Sequence, residues 1–330
     1  MKEILNKLIE HQWLSREESR RVLIDMASGT FNTSQIAAFL TVYMMRSVTI
    51  EELEGFRDAL LELCHAVDLA EYEAIDLCGT GGDGKNTFNI STLASFVVAG
   101  AGIPVSKHGN YGVSSACGSS NVLEFLGIRF SSDSDFLKKS MDQSGICILH
   151  APLFHPAMKE VAPIRRELGV KTFFNMLGPM VNPAFPKYQM VGVFNLELAR
   201  MYGYLYQNTD KTYSILHGLD GYDEITLTGP AKVLGNKVES ILNPEDFGLT
   251  KITAQELEGG DSIEKAAQIF IDVLQGKGTP SQEAVVCVNA GMAIATATGC
   301  TPREGYEKAC ESLKSRSAQQ SFKKLQALSA

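Results

Sequence analysis

Between Ala74 and Gly102 the chain runs from a short apolar strand through a glycine-dense loop into an apolar helix: AIDLC, then Gly79-Thr80-Gly81-Gly82-Asp83-Gly84-Lys85-Asn86, then NISTLASFVVAGAG. A strand and helix that are apolar on nearly all sides, joined by so short a loop, predict a parallel sheet with helices on both faces. The stretches IPVSK, CILH, QMVGVF and TYSILHG supply further strands, with helical segments between them. Ligands in such sheets bind at the carboxyl ends of the strands, and the polar, glycine-rich segments fall there. Residues 1 to about 68 read as helices alone. Ser15–Glu18 and Thr49–Glu52 are capping boxes, and Ile36, Phe39, Leu40 and Tyr43 recur at helical spacing. From about Ser262 the chain returns to helices, including EAVVCVNAGMAIATATG. The expected fold is α/β: a small N-terminal helical domain over 1–70, with part of the 160–190 segment a candidate to join it, and a larger α/β domain over 71–330 with a mainly parallel central sheet. A length of 330 residues suits two domains at about 150 residues each.

Composition narrows the function. The formal net charge is −8, which argues against a nucleic-acid binder, since displacing counterions from phosphates needs basic patches. A phosphate substrate stays open, because a local cationic pocket sits readily on an acidic protein. Seven scattered cysteines without a CxxC pair indicate neither a disulfide framework nor a zinc site, and point to reduced thiols inside a cell. The N-terminus, MKEILNKLIEHQW, is charged throughout, and no run approaches the ~20 apolar residues of a membrane span. The expectation is a soluble, cytoplasmic protein.

Four glycines in the six residues 79–84 allow a tight turn whose N–H groups point inward, an anion cradle at a helix N-terminus. Two familiar motifs nearly match. Gly79, Gly81 and Gly84 satisfy G-x-G-x-x-G, but the stretch where a ribose-binding carboxylate belongs, AGIPVSKHGN, has Lys107 instead. The same residues fit G-x-x-x-x-G-K, but the next position is Asn86, where magnesium binding needs Ser or Thr. Asn89, Ser91 and Thr92 add polar groups just inside the helix; any one of them could serve as an N-cap. Lys107-His108-Gly109-Asn110, followed by Ser114, Ser115, Gly118, Ser119 and Ser120, describes a second phosphate segment. Asp223-Glu224, at the end of TYSILHG, suits a hard divalent cation that also holds phosphate oxygens. In HAPLFHPAMKEVAPIRRELG, Arg165 and Arg166 are adjacent and so point in different directions on a helix; an inward arginine would grip a planar carboxylate. No Ser-His-Asp or Cys-His order supports covalent catalysis.

Six separated motifs occur in order: the GTGGD loop, Asn89-Ile90-Ser91-Thr92, Lys107-His108-Gly109-Asn110, HPAMKEVAPIRRELG, FNMLGPMVNPA and Asp223-Glu224. On these the chain closely resembles the anthranilate phosphoribosyltransferases over nearly its whole length. The resemblance implies the nucleoside phosphorylase/phosphoribosyltransferase-like fold, a homodimer formed through the helical domain, and a magnesium-dependent step of tryptophan synthesis. It assigns phosphoribosyl pyrophosphate to Gly79, Thr80, Gly82, Asp83, Thr87, Asn89, Ser91, Thr92, Lys107 and Ser119. It assigns Mg2+ to Ser91, Asp223 and Glu224, and anthranilate to Gly79, His108, Asn110, His155 and Arg165, with Arg165 on the carboxylate. Lys107, Asp223 and Glu224 would carry the catalysis by stabilising the leaving pyrophosphate. No nucleic-acid or membrane partner is expected. Two positions depart from the family pattern: Tyr111 stands where many members carry Arg, and Asn121 where an Asp is usual, so a cation and a carboxylate are lost together. The rival readings are a pyrimidine nucleoside phosphorylase, whose chains are longer, and a non-catalytic nucleic-acid-binding paralogue, which would be basic and lack Arg165.

Overall fold

Seven strands form one sheet: β1 (Ile75–Gly79), β2 (Val105–Gly109), β3 (Ile146–His150), β4 (Tyr188–Gly192), β5 (Thr212–Gly218), β6 (Ala231–Gly235) and β7 (Val238–Leu242), in the order β3-β2-β1-β4-β5-β6-β7. The first five are mutually parallel, and β6 and β7 run antiparallel at one edge. The computed structural model describes residues 1–112, 117–236 and 238–329, so Ser114 and Ser115 lie outside the described residues. The sheet is the mainly parallel one expected. The β6–β7 hairpin was not anticipated, because the exposed residues of β7 break the continuous apolar run that marks a strand covered on both faces.

The chain divides into two units, 1–67 with 151–183, and 68–150 with 184–330. The segment in the helical unit thus starts earlier and ends sooner than the 160–190 stretch named from sequence. In the sheet unit, Ile90–Gly100 and Pro280–Thr298 are buried along most of their length and pack against each other and the strands. Their apolar residues join Ile75, Leu77, Val105 and Ile146 in one core. No single helix among the described residues is long and apolar enough to cross a membrane.

In the helical unit, both capping boxes form as expected, at Ser15 with Glu18 and Thr49 with Glu52. A third, Asn32 with Gln35, opens the helix Thr33–Met45. Phe39, Tyr43 and Phe56 cluster with Phe173 of the returning segment, Phe56 and Phe173 stacking at 4.3 Å. Glu52, fully buried, lies beside this cluster. It accepts from Leu14 N–H at 3.1 Å, Thr49 N–H at 2.9 Å, the Tyr43 hydroxyl at 2.9 Å and both terminal nitrogens of Arg46. Burial works to raise the Glu52 carboxyl, but Arg46 and the backbone donors hold it below the usual carboxylate range.

Candidate active site

The strand order reverses between β1 and β4, the position where open α/β sheets form a ligand crevice. Those strands end side by side at Gly79 and Gly192. A side chain at either glycine would collide with Asp223, whose carboxylate lies over Gly79 and whose backbone oxygen lies over Gly192. Asp223 therefore sits across the carboxyl ends of the two central strands, although it follows β5 in the chain.

The glycine loop leaves β1 with Thr80 N–H donating to Gly192 O at 2.9 Å. Gly81, Gly82 and Gly84 have positive φ, a conformation that glycine adopts without strain. Gly81 N–H donates to Asp223 Oδ2 at 2.9 Å, and Lys85 N–H to Asp83 Oδ1 at 3.0 Å. The loop's far end is pinned by residues 257–260: Thr87 bridges Glu258, Phe88 N–H donates to Leu257 O, and Asn86 exchanges bonds with Gly259 and Gly260.

Asn89 occupies the N-cap of Ile90–Gly100, yet its side chain makes no cap bond. Its Nδ2 instead donates to Cys117 O at 3.3 Å, tying the helix start to the second glycine segment. Glu224 reaches the helix N-terminus in its place, its Oε1 accepting from Ser91 N–H at 3.1 Å. Thus the Gly81 and Ser91 N–H groups, at the loop and the helix start, are both held by carboxylates. Thr92, on the same helix, is buried.

On β2, Lys107 is buried, and its Nζ donates to Leu77 O at 2.6 Å. His108 is also buried. Gly109 leaves room for the Ser119 hydroxyl, which donates to Asn110 O at 3.2 Å. The two departures both act at this loop. Tyr111 reaches the Glu124 carboxylate with its hydroxyl and packs edge-on against His150. Asn121 Oδ1 accepts from Gly112 N–H at 2.9 Å and Gly118 N–H at 3.0 Å, so an uncharged amide joins the two ends of the loop.

The electrostatics are uneven. Burial and then the neighbouring Asp83 push the Asp223 carboxyl up to about 6. Burial, Asp223 and Asp83 together raise Glu224 well above its ordinary value. Lys107 is driven down by burial, with Asp76, Cys78 and Glu224 acting against that. Three carboxylates therefore share a region in which protein cations do not balance them, which favours either protons or a bound cation. No set of three His, Cys, Asp or Glu among the described residues forms a ready-made metal cage. A pair of carboxylates fits Mg2+, which keeps waters and completes its shell with substrate phosphate.

His155 and Arg165 lie in the helical unit. His155 is buried, its Nε2 bonded to Val181 O at 2.8 Å. Arg165 Nη2 donates to Asn175 Oδ1 at 3.1 Å, and its guanidinium lies over Phe174 at 5.2 Å. Arg165 has no ion-pair partner among the described residues, and its Nε is buried without a hydrogen-bond partner. Burial lowers its pKa. Arg166 is exposed. Sequence reasoning gave no role to Phe174 or Asn175, although both belong to the quoted FNMLGPMVNPA motif.

Two family models match, the glycosyl transferase family helical bundle domain over residues 2–64 and the glycosyl transferase family a/b domain over 71–319. An anthranilate phosphoribosyltransferase of Christiangramia forsetii is 65% identical over 100% of this chain and 99% of its own length. That of Flavobacterium johnsoniae is 65% identical over the full length of both. The chain belongs to the anthranilate phosphoribosyltransferase family. Among solved members, the Thermus thermophilus enzyme superposes with a TM-score of 0.91 at 32% identity, covering 98% of each chain. The Saccharomyces cerevisiae anthranilate phosphoribosyltransferase in complex with PRPP and Mg gives 0.90 at 28% identity, covering 98% of this chain and 96% of that one.

Proposed function

We infer that this chain transfers the phosphoribosyl group of phosphoribosyl pyrophosphate to the amine of anthranilate, giving N-(5-phosphoribosyl)anthranilate and pyrophosphate in tryptophan biosynthesis. The observation that carries the residue-level reading is the placing of Asp223 and Glu224 over the glycine loop and helix start at the sheet's reversal point. In this reading Gly79, Thr80, Gly82, Asp83, Thr87, Asn89, Ser91, Thr92, Lys107 and Ser119 bind the donor, while Ser91, Asp223 and Glu224 hold Mg2+. Bound there, Mg2+ neutralises pyrophosphate oxygens and so improves the leaving group. Lys107 adds a fixed positive charge in a site shielded from water, where it counts for more than in solution.

Gly79, His108, Asn110, His155 and Arg165 hold anthranilate. Arg165, braced by Asn175 and Phe174 and without a carboxylate partner among the described residues, suits the carboxylate of the acceptor. An arylamine is already neutral near pH 7, so the chain's task is positioning and stabilisation of charge; no strong base is needed. A homodimer through the helical unit completes the reading, supported by the exposed Ile9, Trp13, Met44 and Met45 of that unit. The seven free thiols support a cytoplasmic enzyme.

The test is to mix protein, anthranilate, phosphoribosyl pyrophosphate and Mg2+ and follow anthranilate fluorescence. A decay that needs every component and stops on chelation is expected. Phosphate-dependent cleavage of thymidine or uridine in its place would move the chain to the phosphorylases.

A further inference from the structure

Strands β1 and β4 pair at five successive positions, as do β2 and β3. β1 and β2 are parallel partners with Ile75 opposite Val105. Beyond that point side chains also link the two strands. Asp76 Oδ1 accepts the His108 N–H at 3.1 Å, and Lys107 Nζ donates to Leu77 O at 2.6 Å. The other Asp76 oxygen faces the opposite strand, accepting from Gln189 Nε2 of β4 at 3.2 Å and lying 3.6 Å from the Cys78 thiol. Gln189 Nε2 also approaches Cys78 Sγ at 3.4 Å.

Asp76 is completely buried at the centre of the sheet. A buried carboxylate costs several kcal/mol unless hydrogen-bonded and charge-balanced, so a sheet built for stability alone would place an apolar residue there. This one sits within the electrostatic reach of the buried Lys107, opposing the effect of burial on that ammonium.

We infer that Asp76 is a positioning residue for donor binding: set between β2 and β4, its carboxylate holds the end of β2 that carries Lys107 and His108. The carboxylate thus acts as a side-chain clamp between the strands. The inference rests on the reading of Lys107 as a donor-binding group. Gln189 is the second member of the clamp, since it fixes the oxygen that does not hold His108.

The test uses the full-length protein as Asp76→Asn, the double variant Asp76→Asn/Gln189→Glu, and Lys107→Met. Asparagine keeps the acceptor for His108 but removes the negative charge beside Lys107, whereas the double variant returns a carboxylate to the strand next door. Expected for Asp76→Asn is a fall in kcat/KM for phosphoribosyl pyrophosphate on the order of 10²-fold, as for a misplaced binding group, with the KM for anthranilate rising as well, because His108 moves with the same strand end. The double variant recovers at least ~10-fold of that loss, the coupling expected of groups in direct contact. Lys107→Met is impaired towards the same substrate. An unimpaired Asp76→Asn, or a double variant no better than the single, would overturn the inference while leaving Lys107 in place. Wild-type donor kinetics in Lys107→Met would overturn the reading of Lys107 and the inference with it.

Discussion

The molecule buries carboxylates in two regions and treats them in opposite ways. In the helical unit Glu52 meets an arginine, a tyrosine hydroxyl and two backbone donors, and its pKa is held low. At the end of the sheet Asp223 and Glu224 meet backbone N–H groups, including those of Gly81 and Ser91, with a third carboxylate close by and raised pKa values. The first arrangement is complete within the chain and serves the fold. The second has no arginine or lysine ion pair among the described residues and favours either protons or a bound cation. Arg165, in the helical unit, shares that feature: it is a half-buried cation without an ion-pair partner among the described residues.

The sharpest way to break this contrast is to neutralise both members of the incomplete pair. Asp223→Asn/Glu224→Gln should lower Mg2+-dependent turnover by ~10³-fold or more, the several kcal/mol of charge stabilisation that a bound metal supplies. The double variant should still fold. Retained activity would remove the pair from the metal site.

Glu52→Gln should do the converse. Leaving Arg46 buried without its partner should cost about 3 kcal/mol of stability, read by denaturant titration, while kcat/KM of the folded protein stays near wild type. A kinetic defect at full stability would contradict the assignment of Glu52 to the fold. Arg165→Ala should raise the KM for anthranilate by about 10–100-fold, the worth of a charged hydrogen-bonded pair, and leave the KM for the donor much less affected. Equal effects would sink the assignment.

The smallest effect is in pH. In metal-free protein Asp223 titrates near 6 when folded and near 4 when unfolded. The native state therefore holds the extra proton between those values, and stability falls as pH rises through that window. Glu52, with its folded pKa depressed, stabilises above its unfolded value, and this is lost only as pH falls through the lower folded value. With chelator present, Asp223→Asn should reduce the slope between pH 4 and 6, with Glu224 supplying the remainder, and raise Tm at pH 7.5 by about 2–4 °C. Glu52→Gln should lower Tm across that window without changing its slope. A wild-type slope in Asp223→Asn would show that Asp223 is not the titrating group.

Much of this architecture is legible in the residues. The strands β1 to β5 are apolar runs between turn signals, and the capping boxes at Ser15 and Thr49 mark helix starts by local chemistry alone. The β6–β7 hairpin was passed over, although Gly235-Asn236 between short apolar stretches is a turn signal. Its side chains are half solvated, so the continuous apolar pattern used to find the others was the wrong template. At the site, residue types and loop glycines could be read, but the partnerships could not. Asn89 reads as a cap, yet the carboxylate at that helix start is Glu224, 133 positions beyond Ser91, whose N–H it accepts. Asp76 reads as one polar residue in a strand; its meaning depends on His108 and Gln189, which only the sheet brings to it.

Gly79 and Gly192 hold a further consequence. Neither donates a functional side chain, yet Asp223 occupies the space that their missing side chains leave. A single methyl group added at position 192 would fall on the Asp223 backbone, displacing a carboxylate that follows a different strand. The chemistry is thus vulnerable to gain of matter as well as to loss of groups. A relative could keep every acid, lysine and arginine of this chain and still be inert through one alanine, so a search for active members should check these two bare positions as strictly as the charged ones.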